Sequence, residues 1–311
     1  MIINILLSLF LNFRKPILKS FNVINEYKIE ETINFKENIG IKLNAKSGIA
    51  VDSLSGKMLF EKNVNEILPI ASITKLMTVL VFLENNPGWE KEISIIKDDY
   101  RIGGKLYVVS GEVITVKDLF YTSLVGSANN AAIALTRSTG MSLDEFVQAM
   151  NEKAKELEMN NTNFEEPTGL SENNVSTASD IAILVSSVLK YKDITNALKV
   201  SEHIFYTVDR HRIHKIKNTN ILLDSFLNLD DYSIVGAKTG YTDEAGYCLA
   251  VAVSDNSGNN IVTVILGSDT SENRFQDGKS LSFWALSQKF LKSIKLHSPP
   301  ARGGGRGRWE F

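Results

Sequence analysis

The hydrophobic and polar positions divide the chain into three segments, 1–44, 45–295 and 296–311. The first segment opens with an apolar run and continues as a polar, Asn/Glu/Lys-rich spacer. The last segment is rich in Pro, Arg and Gly and lacks the apolar residues that a core needs. Only the middle segment has the recurring apolar positions of packed helices and strands, so we expect one folded domain there.

Strand patterns lie near both ends of this domain. Ser47–Asp52 and Lys57–Lys62 flank the polar turn 53–56, which predicts a β-hairpin. The last two strands are joined by the turn-forming sequence of residues 255–258, a strong hairpin signal. The later strands are predicted over His203–Val208, Ile234–Thr239, Tyr247–Ser254 and Ile261–Gly267.

Helical patterns occupy most of the region between these strands. Ser72–Glu84 is apolar on nearly every side, which is typical of a buried helix. Thr115 with Asp118, and Ser142 with Glu145, have the spacing of capping boxes that begin helices. Further helices are predicted over Asp180–Leu189 and from about Glu272 to Ile294.

This order of elements predicts the fold class. Strands at both ends with helices between them indicate a mixed α/β fold with one sheet built from distant chain segments. The intervening helices would form a mainly helical subdomain over about residues 100–195. We find no internal repeats in the sequence.

Composition excludes several classes of protein. Lys and Arg number 34 and Asp and Glu 36, so the net charge of −2 offers no electrostatic footprint for nucleic acid. The single Cys248 cannot form an internal disulfide, and four histidines are too few and scattered for a metal cluster. We therefore expect no disulfide scaffold, no zinc module and no nucleic-acid partner.

The apolar run Ile2–Phe13 has the length of a signal-peptide core but is too short to span a bilayer comfortably. Basic residues follow the run instead of preceding it, and no small-x-small cleavage site stands near Pro16–Ser20. We favour an unusual export signal over a buried helix, with at most weak membrane association through this segment. The C-terminal Arg/Gly segment is predicted to be a disordered tail.

The first candidate motif is Ser72-Ile73-Thr74-Lys75 at the start of the buried helix. A spacing of three places both polar side chains on one helix face. A serine hydroxyl is a weak nucleophile, and a lysine whose pKa is lowered by burial can act as its base. The pattern is common by chance, so alone it favours an ordinary helix start.

Two further short motifs follow along the chain. Ser127-Ala128-Asn129 lies between two predicted helices and can present a hydroxyl and an amide to a cleft. Lys238-Thr239-Gly240 ends a predicted strand, where charge and hydroxyl donors can bind a carboxylate and the glycine allows close approach of a substrate backbone. Each motif alone is weak.

The three motifs in this order, S-x-x-K, S-x-N and K-T-G, are the signature of penicillin-binding proteins and class A β-lactamases. The chain resembles the low-molecular-mass penicillin-binding proteins of the peptidase S11 type, the serine D-alanyl-D-alanine carboxypeptidases. Ala128 departs from the glycine that many relatives have at this position. The resemblance extends over residues 55–63, 69–78, 167–170, 217–220 and 238–246.

The resemblance implies a β-lactamase/transpeptidase-like fold, an antiparallel five-stranded sheet flanked by helices with an inserted helical subdomain. It implies an acyl-enzyme on a serine, formed with a peptidoglycan stem peptide ending in D-Ala-D-Ala or, more durably, with a β-lactam. The implied reaction needs neither a metal nor an organic cofactor. The resemblance also implies an exported location, at the outer face of the membrane, in the periplasm or in the cell wall. The implied catalytic residues are Ser72, Lys75 and Ser127. The implied substrate-binding residues are Asn129, Lys238, Thr239, Gly240 and Tyr241. The backbone N–H groups of Ser72 and Tyr241 would form the oxyanion hole.

Three alternative functions stay open. An endopeptidase that cleaves cross-links would use the same residues. A class A-like β-lactamase would add a deacylating glutamate, but Glu165 and Glu166 are expected to be solvated loop acids. A non-catalytic β-lactam-binding or cell-wall-binding domain is the third. His211 and His214 are expected on a solvated strand or loop, and Cys248 in the core.

Overall fold

The computed structural model describes residues 40–297, with side chains described as far as residue 288. The predicted export segment, most of the polar spacer and the Arg/Gly tail lie outside the described residues. Within the described part of the chain, no helix is both long enough and apolar enough to cross a bilayer.

Five strands form the main sheet, in the order β2-β1-β11-β10-β9 with every neighbouring pair antiparallel. The mixed α/β fold with an antiparallel five-stranded sheet is therefore confirmed. The remaining strands pair as three short ribbons, β3 with β6, β4 with β5 and β7 with β8. The strands are β1 (Ser47–Asp52), β2 (Met58–Lys62), β3 (Leu68–Pro69), β4 (Glu92–Ser94), β5 (Val113–Thr115), β6 (Val175–Ser176), β7 (Glu202–Tyr206), β8 (Ile213–Lys217), β9 (Tyr232–Thr242), β10 (Gly246–Asp255) and β11 (Asn260–Ser268).

Most of the helices lie between β2 and β9 along the chain, and one follows the last strand. Their starts agree with the capping signals: Thr115 Oγ1 accepts from Asp118 N at 3.1 Å, and Ser142 Oγ from Glu145 N at 3.3 Å. The helices are α1 (Lys75–Glu84), α2 (Val116–Val125), α3 (Asn129–Ser138), α4 (Leu143–Glu156), α5 (Ala178–Val188), α6 (Lys192–Lys199) and α7 (Ser271–His297).

The sheet separates two hydrophobic clusters because successive side chains of a strand point to opposite faces. Along β10, Leu249 and Val251 pack into the cluster that includes the first part of α7. Ala250 and Ala252 face the larger cluster, which includes α1, α2 and α5. The central strands are thus buried on both faces, and α1 lies in the interior as its all-apolar surface predicts.

Two local features differ from the sequence-based expectation. The predicted helix Ser72–Glu84 begins with a 3-10 turn, Ala71–Thr74, and becomes α-helical at Lys75. His211 is exposed as expected, but the expectation that His214 is solvated is wrong. His214 lies on β8 with its side chain buried, and its Nε2 is 3.1 Å from Oε1 of the buried Glu112.

Candidate active site

The site is built around the 3-10 turn that precedes α1. Ser72 is half-buried in this turn, and Lys75, the first residue of α1, is fully buried. Lys75 Nζ lies 2.9 Å from Ser72 Oγ, 2.7 Å from Asn129 Oδ1 and 2.6 Å from the Thr168 carbonyl oxygen. As an ammonium, Lys75 donates to all three oxygens. As a neutral amine, it keeps its two N–H donors for Asn129 and Thr168 and directs its lone pair at the Ser72 hydroxyl.

Burial lowers the pKa of Lys75 to about 7, and the negative charge of Glu166 opposes part of that shift. A lysine amine with such a pKa is substantially neutral near pH 7 and can accept a proton. The pair Ser72 and Lys75 therefore has the geometry and the protonation state of a nucleophile with its base.

A second hydroxyl–lysine pair lies in the same site. Ser127 lies between α2 and α3 with a positive φ of 57°, and its Oγ accepts from Lys238 Nζ at 2.8 Å. Burial lowers the pKa of Lys238 well below its usual range, and the positive charges of Lys75 and Arg274 lower it further. Ser127 is thus held beside a lysine that has no acidic partner within hydrogen-bonding distance among the described residues.

The end of β9 supplies the opposite wall of the site. Thr239 Oγ1 donates to Thr219 Oγ1 at 2.7 Å. A Cβ on Gly240 would lie 2.9 Å from the Ile70 carbonyl oxygen and 3.0 Å from Ser72 N, so only glycine lets the strand run this close to the nucleophile turn. This approach brings the backbone around Tyr241 close to the backbone around Ser72.

All eight sequence-predicted site residues are brought together at one cleft of about 390 Å³. Lys75 and Lys238 lie behind its surface and contact Ser72 and Ser127. The six others line the cleft directly: Ser72, Ser127, Asn129, Thr239, Gly240 and Tyr241.

Arg274 is a cleft residue that the sequence analysis missed. It lies on α7, is largely buried, and donates to the Gly240 and Cys248 carbonyl oxygens at 3.0 and 3.4 Å. Burial lowers its pKa to about 10, which leaves it cationic at neutral pH. No short motif marks an arginine at this distance from K-T-G, so the sequence carried no signal for it.

The prediction that Glu165 and Glu166 are both solvated is half wrong. Glu165 is exposed, whereas Glu166 is partly buried and accepts hydrogen bonds from the backbone of the loop that follows it. The same loop carries the Thr168 carbonyl that contacts Lys75. The signal was present in the Pro167–Leu170 stretch, but the loop's position against Lys75 depends on long-range packing.

Other reactive groups do not add to the site. Cys248 is buried on β10 as predicted, and burial raises the pKa of its thiol to about 11, which opposes a nucleophilic role. Within residues 40–297, no group of three His, Cys, Asp or Glu side chains could hold a metal ion.

A serine hydroxyl in contact with a buried lysine, with a second serine–lysine pair at the same cleft, is the arrangement of a serine enzyme of the acyl-transfer class. Residues 32–270 match peptidase S11, the D-alanyl-D-alanine carboxypeptidase family. The chain belongs to this family, as its motifs predicted, and is a serine peptidase by membership. Peptidase S11 enzymes act on the cell wall, generally outside the cytoplasm.

Individual relatives support the same assignment. The chain is 35% identical to D-alanyl-D-alanine carboxypeptidase DacF of Bacillus subtilis, over 78% of this chain and 62% of the relative. It is 33% identical to D-alanyl-D-alanine endopeptidase of Pseudomonas aeruginosa, over 78% of this chain and 77% of the relative. Among solved structures, penicillin-binding protein D2 of Listeria monocytogenes, in its cefotaxime-bound form, matches with a TM-score of 0.69 and 29% identity, over 79% of this chain and 98% of that one.

Proposed function

We propose that residues 45–295 form a catalytic domain that removes the terminal D-Ala from peptidoglycan stem peptides through an acyl-enzyme on Ser72. The observation that carries this proposal is the 2.9 Å contact between Ser72 Oγ and a fully buried Lys75 whose pKa is about 7. This contact supplies a nucleophile and a base that is substantially neutral near pH 7.

Acylation begins when Ser72 Oγ attacks the carbonyl carbon of the penultimate D-Ala. The C–O bond forms as the hydroxyl proton passes to Lys75 Nζ, and the oxyanion receives hydrogen bonds from the backbone N–H groups of Ser72 and Tyr241. The tetrahedral intermediate then breaks its C–N bond. Ser127 donates its hydroxyl proton to the departing amine and recovers a proton from the neighbouring lysines, so the charge is balanced.

Deacylation returns the enzyme to its starting state. Lys75, neutral again, takes a proton from a water molecule, whose oxygen attacks the ester carbon. The C–O bond to Ser72 breaks, and the protonated Lys75 returns the proton to Ser72 Oγ. A β-lactam enters the same path as a substrate mimic but keeps its leaving group attached, so we expect a long-lived ester on Ser72.

One group of residues at the cleft supports a carboxypeptidase, because it could bind the terminal carboxylate of a peptide. In this proposal the terminal carboxylate of the departing D-Ala binds Lys238, Thr239 and Arg274; Thr239 and Arg274 line the cleft, and Lys238 contacts Ser127 behind it. Arg274 is cationic at neutral pH, and the Lys238 amine and Thr239 hydroxyl can donate hydrogen bonds, so this set matches a carboxylate in charge and hydrogen bonding. Asn129, on the opposite wall, would bind the peptide backbone.

We also propose that the chain is exported. Stem peptides belong to the cell wall, so an enzyme acting on them must reach the outer face of the membrane. The exported fraction is measured by fractionating cells that express the full chain.

The first test is intact mass spectrometry of the purified chain with benzylpenicillin, with Ser72→Ala as the matched control. We expect a persistent adduct of one penicillin per chain that the variant does not form. Release of D-Ala from a peptide ending in D-Ala-D-Ala then tests the reaction itself. A folded wild-type chain that forms no adduct would contradict the acyl-enzyme and favour a non-catalytic binding domain.

An endopeptidase is the second candidate, because the chain is about as similar to the Pseudomonas endopeptidase as to the Bacillus carboxypeptidase. Cross-linked muropeptides separate the two functions. An endopeptidase converts dimers to monomers at a rate comparable with D-Ala release, whereas a carboxypeptidase leaves the dimers intact. An adduct that forms and clears within minutes would instead favour a β-lactamase.

A further inference from the structure

The loop 166–171 lies against the nucleophile turn and has one acidic side chain at its centre. Glu166 accepts a set of hydrogen bonds that includes several backbone N–H groups of its own loop. Oε1 accepts from Gly169 N at 2.5 Å, Leu170 N at 2.8 Å and Asn174 Nδ2 at 3.0 Å, and Oε2 from Thr168 N at 2.7 Å and Thr168 Oγ1 at 2.6 Å.

These contacts fix a segment that cannot move without disturbing the catalytic turn. Gly169 has φ of +85°, and a Cβ there would lie 1.9 Å from the Ala71 carbonyl oxygen and 2.8 Å from Ser72 N. The loop backbone is therefore in direct contact with the turn that carries Ser72. The N–H groups of the loop that donate to Glu166 therefore help to fix the position of the loop against this turn.

The same loop supplies a hydrogen-bond acceptor to the base. The Thr168 carbonyl lies 2.6 Å from Lys75 Nζ, and the other protein acceptor besides Ser72 is Asn129 Oδ1. Because a neutral amine has only two N–H donors, these two acceptors determine that its lone pair faces Ser72. Displacing Thr168 frees Lys75 to turn away from the hydroxyl.

We propose that Glu166 is a positioning residue for acylation: its carboxylate holds the Thr168 carbonyl against Lys75, and its negative charge acts on Lys75 through the loop. The inference rests on the proposed function, because it assigns a role in the same reaction. Glu166 is not among the residues that line the cleft, so its proposed role is indirect.

The negative charge of Glu166 changes the pKa of Lys75 in a known direction. Among the described groups, Glu166 raises the pKa of Lys75, while Lys238, on the facing strand, is a like charge that is unchanged in every variant below. Removing the negative charge leaves burial unopposed, so the pKa of Lys75 falls. The base is then neutral at lower pH, but it is a weaker base and is less well held.

The test is the pH dependence of the benzylpenicillin acylation rate in Glu166→Gln, with Glu165→Gln as the matched control. Glu165 is the exposed neighbour in the same loop, and its contacts are with Ser171 and Asn173. We expect Glu166→Gln to move the acid-limb inflection about half a unit or more to lower pH and to lower the plateau rate about tenfold or more. Glu165→Gln should keep both values.

Two further variants separate charge from structure. Thr168→Val removes the Thr168 Oγ1 bond to Glu166 but keeps the carboxylate, so the melting temperature should fall while the inflection stays. If Glu166→Gln does not fold, Glu166→Asp keeps the charge with a shorter reach and should lower the plateau rate with the inflection little changed.

An unshifted inflection in folded Glu166→Gln, or a wild-type rate in Glu166→Asp, would overturn the positioning role. A wild-type chain that is never acylated would instead contradict the proposed function, so the two failures are distinguishable.

Discussion

At the residue scale, the proposed chemistry depends on keeping one lysine, Lys75, partly neutral near pH 7. The ammonium of Lys75 would be favoured by its three oxygen neighbours, but complete removal from water disfavours the charge more strongly and brings its pKa to about 7. The amine is thus poised between the two states that a base must visit. A lysine on the surface would stay protonated and could not act.

This balance predicts the pH dependence of acylation. Below the pKa, Lys75 is protonated and cannot accept the Ser72 proton, so the acylation rate should rise with pH through an inflection near 7. The rate is measured by intact mass spectrometry with benzylpenicillin from pH 5 to 9. Lys75→Arg, which stays protonated throughout, should acylate about 10²–10⁴-fold more slowly. A flat profile in the wild type would contradict Lys75 as the base.

The carboxylate end of the cleft gives a second prediction. Lys238→Ala removes a buried amine that can donate to a carboxylate, and it should lower kcat/KM for a peptide with a free terminal carboxylate about tenfold or more. The loss should be smaller for the C-terminally amidated peptide, which lacks the carboxylate, because the variant's effect through Ser127 is common to both. Equal losses on both peptides would argue that Lys238 does not bind the carboxylate.

The sequence predicted the site residues that occur in short motifs, but not the groups that reach the site from distant parts of the chain. Ser72 and Lys75 lie three residues apart, so their contact follows from helix geometry. Arg274 and the Thr168 carbonyl reach the site only through packing between distant segments. His214 was misjudged for the same reason, because its buried partner Glu112 lies 102 positions away.

At the scale of elements, the site is an interface between a loop and a turn, and glycine makes their contact possible. Gly169→Ala would place a methyl group 1.9 Å from the Ala71 carbonyl oxygen, so the loop and the turn must separate. We expect acylation to fall about 100-fold or more and the melting temperature to drop, since a 1 Å misplacement is costly in catalysis.

The matched control for this variant is Gly140→Ala. Gly140 also has a positive φ, +88°, but a Cβ there would have nothing within 4 Å. This variant incurs the backbone strain alone and should keep the wild-type acylation rate with a modest fall in melting temperature. Similar acylation rates in the two variants would show that the contact between loop and turn is dispensable.

Element starts were well predicted where a local signal existed. The caps at Thr115 and Ser142 and the hairpin turn at residues 255–258 depend on interactions within a few residues. The 3-10 turn before α1 has no such signal. Ala71 in this turn adopts a φ of +46°, and Gly169 and Gly240 both approach the turn closely. Nothing in the sequence near Ser72 predicts this conformation.

At the scale of the molecule, the two hydrophobic clusters on either side of the sheet should make separate contributions to stability. Leu249→Ala would open a cavity in the cluster beneath α7 and should lower the free energy of unfolding by about 2–5 kcal/mol. The exposed Leu54→Ala should change it by no more than about 0.5 kcal/mol. Urea unfolding measures both. A small effect at Leu249 would contradict tight packing under the sheet.

The order of the strands also has a consequence for how the chain acquires its fold. β1 pairs with β11, with Ser47 opposite Leu266. The hairpin of β1 and β2 is synthesised first, but β1 can pair with β11 only after almost the whole domain has been synthesised. Closing so long a loop is entropically costly and makes folding slow. Lys238 lies on β9 and Arg274 follows β11, so the candidate site is incomplete until almost the whole domain has been synthesised. This topology would suit the proposed export of an unfolded chain, because the pairing of β1 with β11 that completes the sheet forms last.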